Sequence, residues 1–129
     1  MAVATVSPPM CSYKDDDFDV FFDIQLVSHC MRRFAVFGNP IQQSISPIIH
    51  QNFADQAGMT IQYDRKLSTT EQFEKDIEAF FAEDNVLGCN VTAPFKEQAF
   101  QLVSHVDSSA ALAKAVNTIF KNDDGELCG

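Results

Sequence analysis

Lys96, in the run Asn90-Val91-Thr92-Ala93-Pro94-Phe95-Lys96-Glu97, stands where a cation is least expected: the first turn of a helix that follows an apolar strand. A helix N-terminus carries partial positive charge, so a protonated amine is disfavoured there, and a lysine so placed is able to trade protons. The same residue also reads as a solvated surface lysine behind a Pro-initiated helix. A second stretch, Phe34-Ala35-Val36-Phe37-Gly38-Asn39-Pro40, leads through a turn to Ser44-Ile45-Ser46-Pro47, where another helix opens. Ser46 is expected as its N-cap with Pro47 at the first helical position, and Ser44 lies two residues upstream in the same loop. Free amides, the helix dipole and two hydroxyls together suit a carboxylate, although capping alone would account for one of the serines.

The elements that must position these residues alternate strand and helix from Arg33 onward. Residues 34–37 read as a short buried strand, and residues 47–57 as a helix with Ile48, Ile49, Phe53 and Ala57 at near-helical spacing, ended by Gly58. Ile61–Leu67 alternates as a strand with Ile61 and Tyr63 on its buried face. Thr70 opens a long amphipathic helix with Phe73, Ile77, Phe80 and Phe81 inward. Residues 86–92 form the next strand, in which Gly88 admits close backbone approach. A helix from Pro94 carries Lys96, with Phe95, Ala99 and Leu102 as its apolar stripe, and Asp107 or Ser108 caps an Ala-rich helix reaching about Lys114. Strands at 116–121 and 126–128 pair around the hairpin signal Asn122-Asp123-Asp124-Gly125.

This alternation predicts an α/β three-layer sandwich with a mainly parallel sheet, whose ligands sit beyond the carboxyl ends of the strands. The Ser44/Ser46 loop, Thr92 and Lys96 all follow strands and so are able to share one rim. Asn90 and Asn117, at strand ends, either satisfy backbone groups or touch a ligand. His50, one turn past Ser46, reads as a satisfied helix histidine, and Cys89 as inert packing in a buried strand. Asp123 and Asp124 lack the ligand spacing of a calcium loop and read as turn residues.

At these motifs the chain resembles the shikimate dehydrogenases: Ala35-Val36-Phe37-Gly38-Asn39-Pro40, Ser44-x-Ser46-Pro47-x-x-His50, Asn90-Val91-Thr92-x-Pro94-Phe95-Lys96 and Ala115-Val116-Asn117-Thr118, in that order. The resemblance covers roughly residues 31 to 129 and implies the N-terminal, substrate-binding lobe of a two-domain dehydrogenase. It implies that Ser44 and Ser46 bind the substrate carboxylate, that Asn90, Thr92 and Asn117 hold ring hydroxyls, and that Lys96 is the acid/base group. The implied reaction is reversible reduction of 3-dehydroshikimate to shikimate with NADP, in aromatic amino-acid (chorismate) biosynthesis, with quinate as another substrate of some relatives. Gln51 departs from the asparagine that many relatives carry after the histidine. The family's aspartate, in a D-N-T-D-G motif, would begin directly after Gly129, and no two of the five glycines lie at the spacing of a G-x-G-x-x-G loop. The NADP-binding domain is therefore expected to lie outside these residues, and the chain to be inactive alone. A non-catalytic binding module for shikimate- or quinate-like carboxylates is the competing expectation; it would have no use for Lys96.

With 129 residues, 46% hydrophobic content and twelve Phe, the chain suffices for one packed core. A net charge of −9 argues against nucleic acid or an anionic membrane as partner, so an anionic substrate needs local attraction. Cys11, Cys30, Cys89 and Cys128 show neither zinc-ligand spacing nor a dense disulfide framework, which fits the reducing cytoplasm. Residues 1–30, acidic and outside the resemblance, are expected to be a leader or extension, with a strand or short helix at 20–27 and the natural start at Met31.

Overall fold

The computed structural model describes residues 31–129; the expectations for residues 1–30 lie outside the described residues. Strand β1 (Arg32–Gly38) leads to α1 (Ser46–Ala57), β2 (Ile61–Leu67), α2 (Phe73–Phe81) and β3 (Val86–Val91). Helices α3 (Lys96–Leu102) and α4 (Ser108–Ala113) follow, then the hairpin of β4 (Thr118–Lys121) and β5 (Leu127–Cys128). The strands form one mixed sheet in the order β2-β1-β3-β4-β5. β1 runs parallel to β2 and β3, while β4 runs antiparallel to β3 and β5. This topology gathers the carboxyl ends of β1, β2 and β3 and the amino end of β4 on one rim, where α/β sheets hold their ligands.

Alternation along the strands turns Ala35, Phe37, Cys89, Val91 and Ile119 to one face, where Phe73, Ile77 and Phe80 of α2 and Ala99 of α3 cover them. Phe73 lies flat on Phe95 at 4.7 Å between ring centroids and meets Phe37 edge-on at 6.1 Å. Burying each such ring contributes about 1.5–3 kcal/mol, which makes this aromatic stack the anchor of the Lys96 turn. α1 packs on the opposite face, over β1 and β2, completing the three layers.

Several boundaries differ from the sequence expectation. α1 buries Ala54 but leaves Ile48 and Phe53 58% and 60% exposed, so its apolar residues look largely outward. Its contact with the sheet is made instead through small Ala54 and the flat ring of His50. α2 starts at Phe73 rather than Thr70 because Thr69 first closes a turn, its carbonyl accepting from the amides of Gln72 (3.1 Å) and Phe73 (2.9 Å). β4 starts at Thr118 rather than residue 116, since the Val116 amide donates to the Lys96 carbonyl (2.9 Å) instead of joining the ladder. Asp107 caps α4 as expected, its side chain accepting from the Ala110 amide at 2.8 Å, and Lys114 ends the helix in the left-handed region. No helix of the described residues is long and apolar enough to cross a membrane.

Candidate functional site

The loop between β1 and α1 turns on a bond from the Ser44 amide to the Ile41 carbonyl (3.0 Å). The expected cap is not Ser46: Ile45 occupies that position, its carbonyl taking the helix's first bond from the Ile49 amide at 3.1 Å. Ser44 instead does the local work, its Oγ accepting from the Ser46 amide at 3.3 Å. The Ser46 hydroxyl makes no cap bond and lies near the phenol of Tyr63 on β2. Two residues further along β2, Arg65 donates through Nε (3.0 Å) and Nη2 (2.7 Å) to the Ser44 carbonyl. A guanidinium thus sits against the serine loop and provides the local positive charge that a chain of net charge −9 lacks overall.

Strand register lays Arg65, Val36, Asn90 and Thr118 side by side on the face toward α1. Asn90 is the hub of this row. Its Oδ1 accepts from the Tyr63 hydroxyl, while its Nδ2 donates to Thr118 Oγ1 at 3.1 Å and reaches the Asn117 carbonyl at 3.5 Å. Thr118 in turn donates to Asn117 Oδ1 at 3.2 Å. The Tyr63 ring lies flat on His50, 4.8 Å between centroids with 4° between planes, and stacks on Phe34 at 6.4 Å. Burial pushes its phenol up to about 12, against the opposing pull of the nearby Ser46 hydroxyl.

The end of β3 is stapled to the end of β1 by the Thr92 amide on the Phe37 carbonyl (2.9 Å) and the Asn39 amide on the Ala93 carbonyl (3.1 Å). The expected helix start at Pro94 gives way to a turn, closed by the Phe95 amide on the Thr92 carbonyl at 3.0 Å, so that Lys96 is itself the first residue of α3. Phe95 is fully buried and fixes this turn, while the Lys96 side chain is exposed. Its ammonium meets no hydrogen-bond or ion-pair partner among the described residues. With Asn117, Lys96 lines an open cavity of about 850 Å³ between α3, α4 and the β4–β5 hairpin.

The six residues expected from sequence stand at or beyond the ends of β1 and β3 and before β4, at one rim of the sheet. Asn90 and Asn117 are joined directly and through Thr118, Thr92 and Lys96 are tied in through their backbones, and Ser44 is held by Arg65 of β2; the cavity beside Lys96 and Asn117 is lined by neither Ser44 nor Ser46. Tyr63, Arg65 and Thr118 were not singled out from sequence. The available signal was a tyrosine and an arginine two apart on β2, since alternation puts both on one face.

An α/β lobe with hydroxyls, amides and a free lysine gathered at its strand ends is built to hold a small polar molecule. The family model described as the shikimate dehydrogenase substrate binding domain matches residues 36–119, and the chain belongs to that family. It is 52% identical over 99 residues to the shikimate dehydrogenase (NADP(+)) of Alteromonas mediterranea, covering 77% of this chain and 36% of that protein. Among solved structures, an Ael1 enzyme from Pseudomonas putida superposes with a TM-score of 0.73 at 35% identity, over 76% of this chain and 35% of that one. A Thermus thermophilus shikimate 5-dehydrogenase solved in complex with shikimate gives 0.71 at 30% identity, over 77% of this chain and 37% of that one. The chain thus spans about a third of the length of the relatives it matches.

The described glycines do not form a cradle for a dinucleotide. A Cβ on Gly38 would meet Thr92 at 2.4 Å and one on Gly88 the Ile119 carbonyl at 3.1 Å, whereas Gly58 and Gly125 sit at a helix cap and a hairpin turn. The NADP of the relatives finds no fitting site among these residues.

Proposed function

We propose that residues 31–129 form the substrate-binding lobe of an NADP-dependent shikimate dehydrogenase and bind shikimate and 3-dehydroshikimate. In this reading Ser44 and Ser46 take the carboxylate, with the Arg65 guanidinium adding positive charge beside it. Asn90, Thr92 and Asn117 take the ring hydroxyls, and Lys96, its amine uncommitted, exchanges the proton of the hydroxyl that is oxidised. Hydride transfer itself requires a nicotinamide, which the relatives bind and the described residues do not accommodate. The cytoplasm, where the free thiols of Cys89 and Cys128 persist, is the compartment this reading assigns.

The observation that carries the proposal is that three separate sequence segments, bearing Ser44 and Ser46, then Asn90, Thr92 and Lys96, then Asn117, meet at one rim of one sheet. Calorimetric titration of shikimate into the 129-residue chain tests it. Saturable binding is expected, weakened about tenfold or more by Ser44→Ala, because a carboxylate would lose a hydroxyl donor. Lys96→Ala is expected to keep most of the affinity, as its role is proton exchange. Absence of saturable binding at millimolar shikimate would sink the proposal.

A further inference from the structure

Arg65 of β2 commits two of its N–H donors to a single acceptor, the carbonyl of Ser44, through Nε at 3.0 Å and Nη2 at 2.7 Å. We infer that Arg65 is a positioning residue: by holding that carbonyl it sets the Ser44–Ile45 peptide so that the Ile45 amide, with the Ser44 hydroxyl, faces the substrate's carboxylate. The inference rests on the shikimate-binding reading above and adds to it the residue that orients the serine loop and a backbone donor within that loop.

The geometry of one peptide unit leads there. The Ser44–Ile45 bond is trans, since the cis bonds of the described residues lie before Pro40 and Pro94. In a planar trans peptide the carbonyl of one residue and the N–H of the next point in opposite directions. With the Ser44 carbonyl on Arg65, the Ile45 N–H therefore points away from the guanidinium. Ile45 has φ −96° and ψ 2°, and a ψ near zero sets its own amide and that of Ser46 side by side, pointing the same way, as at the start of a helix. The Ser46 amide donates to Ser44 Oγ at 3.3 Å, so the Ser44 hydroxyl lies on this side as well.

Both donors on that side are uncommitted. Among the described residues the Ile45 amide meets no acceptor, and the Ser44 hydroxyl accepts from Ser46 while its own proton goes to none. A carboxylate only accepts, and takes donors of this kind. The Ser44 carbonyl is the part of the peptide that would repel an anion, and Arg65 keeps it on the far side. Two N–H bonds from a planar fork fix the direction of a carbonyl, whereas the point charge of a lysine attracts it without fixing its plane. Arg65 stands exposed on the edge strand of the sheet, where it is replaceable without opening the core.

The test is amide NMR of the 129-residue chain titrated with shikimate, in the wild type, in Arg65→Lys, which keeps the charge without the fork, and in Arg65→Gln, which removes the charge. Ligand-free spectra that match the wild type outside the serine loop establish that the sheet is intact. In the wild type the Ile45 amide proton is expected to move downfield as shikimate saturates the chain. Both variants are expected to bind shikimate roughly fivefold more weakly, the effect of one hydrogen bond, and to show a smaller Ile45 shift at saturation. Full affinity in Arg65→Lys with loss in Arg65→Gln alone would make Arg65 a point charge and overturn the positioning role. An Ile45 amide that stays fixed while shikimate saturates the wild type, or that shifts equally in all three proteins, would overturn it too; each of these results leaves the shikimate reading standing. Failure of the wild type to bind shikimate would overturn both.

Discussion

Gly38→Ala places a methyl group where two motifs touch, and its effect is calculable from the neighbours. The new Cβ would lie 2.4 Å from Thr92 Cγ2, 2.9 Å from Ile41 Cδ1 and 3.4 Å from the Ala93 carbonyl oxygen. The strands cannot part to make room, because the Thr92–Phe37 and Asn39–Ala93 backbone bonds, at 2.9 and 3.1 Å, span this same point. Ile41 yields at the tip of a flexible chain. Thr92 is β-branched and meets the methyl with its first carbon beyond Cβ, so it must leave its rotamer or push its backbone. Overpacking of this kind costs about 1–3 kcal/mol. In a domain of this size that lowers the melting temperature by roughly 5–20 °C.

Thermal unfolding followed by circular dichroism reads the first consequence, and shikimate titration reads the second, a weakened grip through the displaced Thr92 hydroxyl. The decisive control is Thr92→Ser, which deletes Cγ2 and keeps the hydroxyl. Placed on the Gly38→Ala background it should restore most of the lost stability, a coupling of about 1–2 kcal/mol between two residues in contact. If Gly38→Ala melts within about 2 °C of wild type, or if Thr92→Ser gives no rescue, the close approach of the two motifs is not what requires glycine at position 38.

Asp107 provides a test in acid. Its carboxyl is held below the ordinary 3.8 first by the Ala110 amide and then by the Ser109 hydroxyl. The unfolded chain therefore takes up this proton more readily than the native one; the contribution to stability is full above about pH 4 and is lost as pH falls through the lower native value. Asp107→Asn keeps an acceptor for the Ala110 amide but has no proton to bind. Urea melts should show a shallower loss of stability below about pH 4 than in the wild type, with near-equal stability at neutrality; identical acid limbs would contradict the assignment. Cys89 provides a test in base, since burial pushes its thiol up to about 12. Peptide mapping after iodoacetamide treatment at pH 8 should find Cys89 spared in the native chain and modified in urea, and equal labelling in both would show that β3 is not enclosed as described.

How much of this was legible in the sequence depends on how local each feature is. β2 runs over the expected Ile61–Leu67, because two-residue alternation bracketed by the Gly58 cap is a local signal. The serine loop and the Lys96 turn were visible for the same reason, as proline, serine and glycine act on their immediate neighbours. Both helix starts nonetheless moved, since Ile45 and Phe95 take positions that composition alone gave to Ser46 and Pro94. Helical periodicity marked the apolar residues of α1 but not what they meet: the helix packs on β1 and β2 while Ile48 and Phe53 look outward.

Tyr63, Arg65 and Thr118 lay beyond reach for a different reason. Their roles come from pairing between strands: Val36 stands opposite Arg65 on one side and Asn90 on the other, and Asn90 opposite Thr118. No window along the chain contains that register. A slip of one residue in β4 would turn Thr118 to the α2 side of the sheet and put Ile119 beside Asn90, so the same sequence motifs would no longer make a site. What enforces the register is the opposite face, where Ile119 is wholly buried among Cys89, Val91 and Val116. The apolar packing on the α2 side thus decides which polar groups meet on the α1 side, and the hydroxyl of Thr118 reaches Asn90 because the side chain of Ile119 has nowhere else to go.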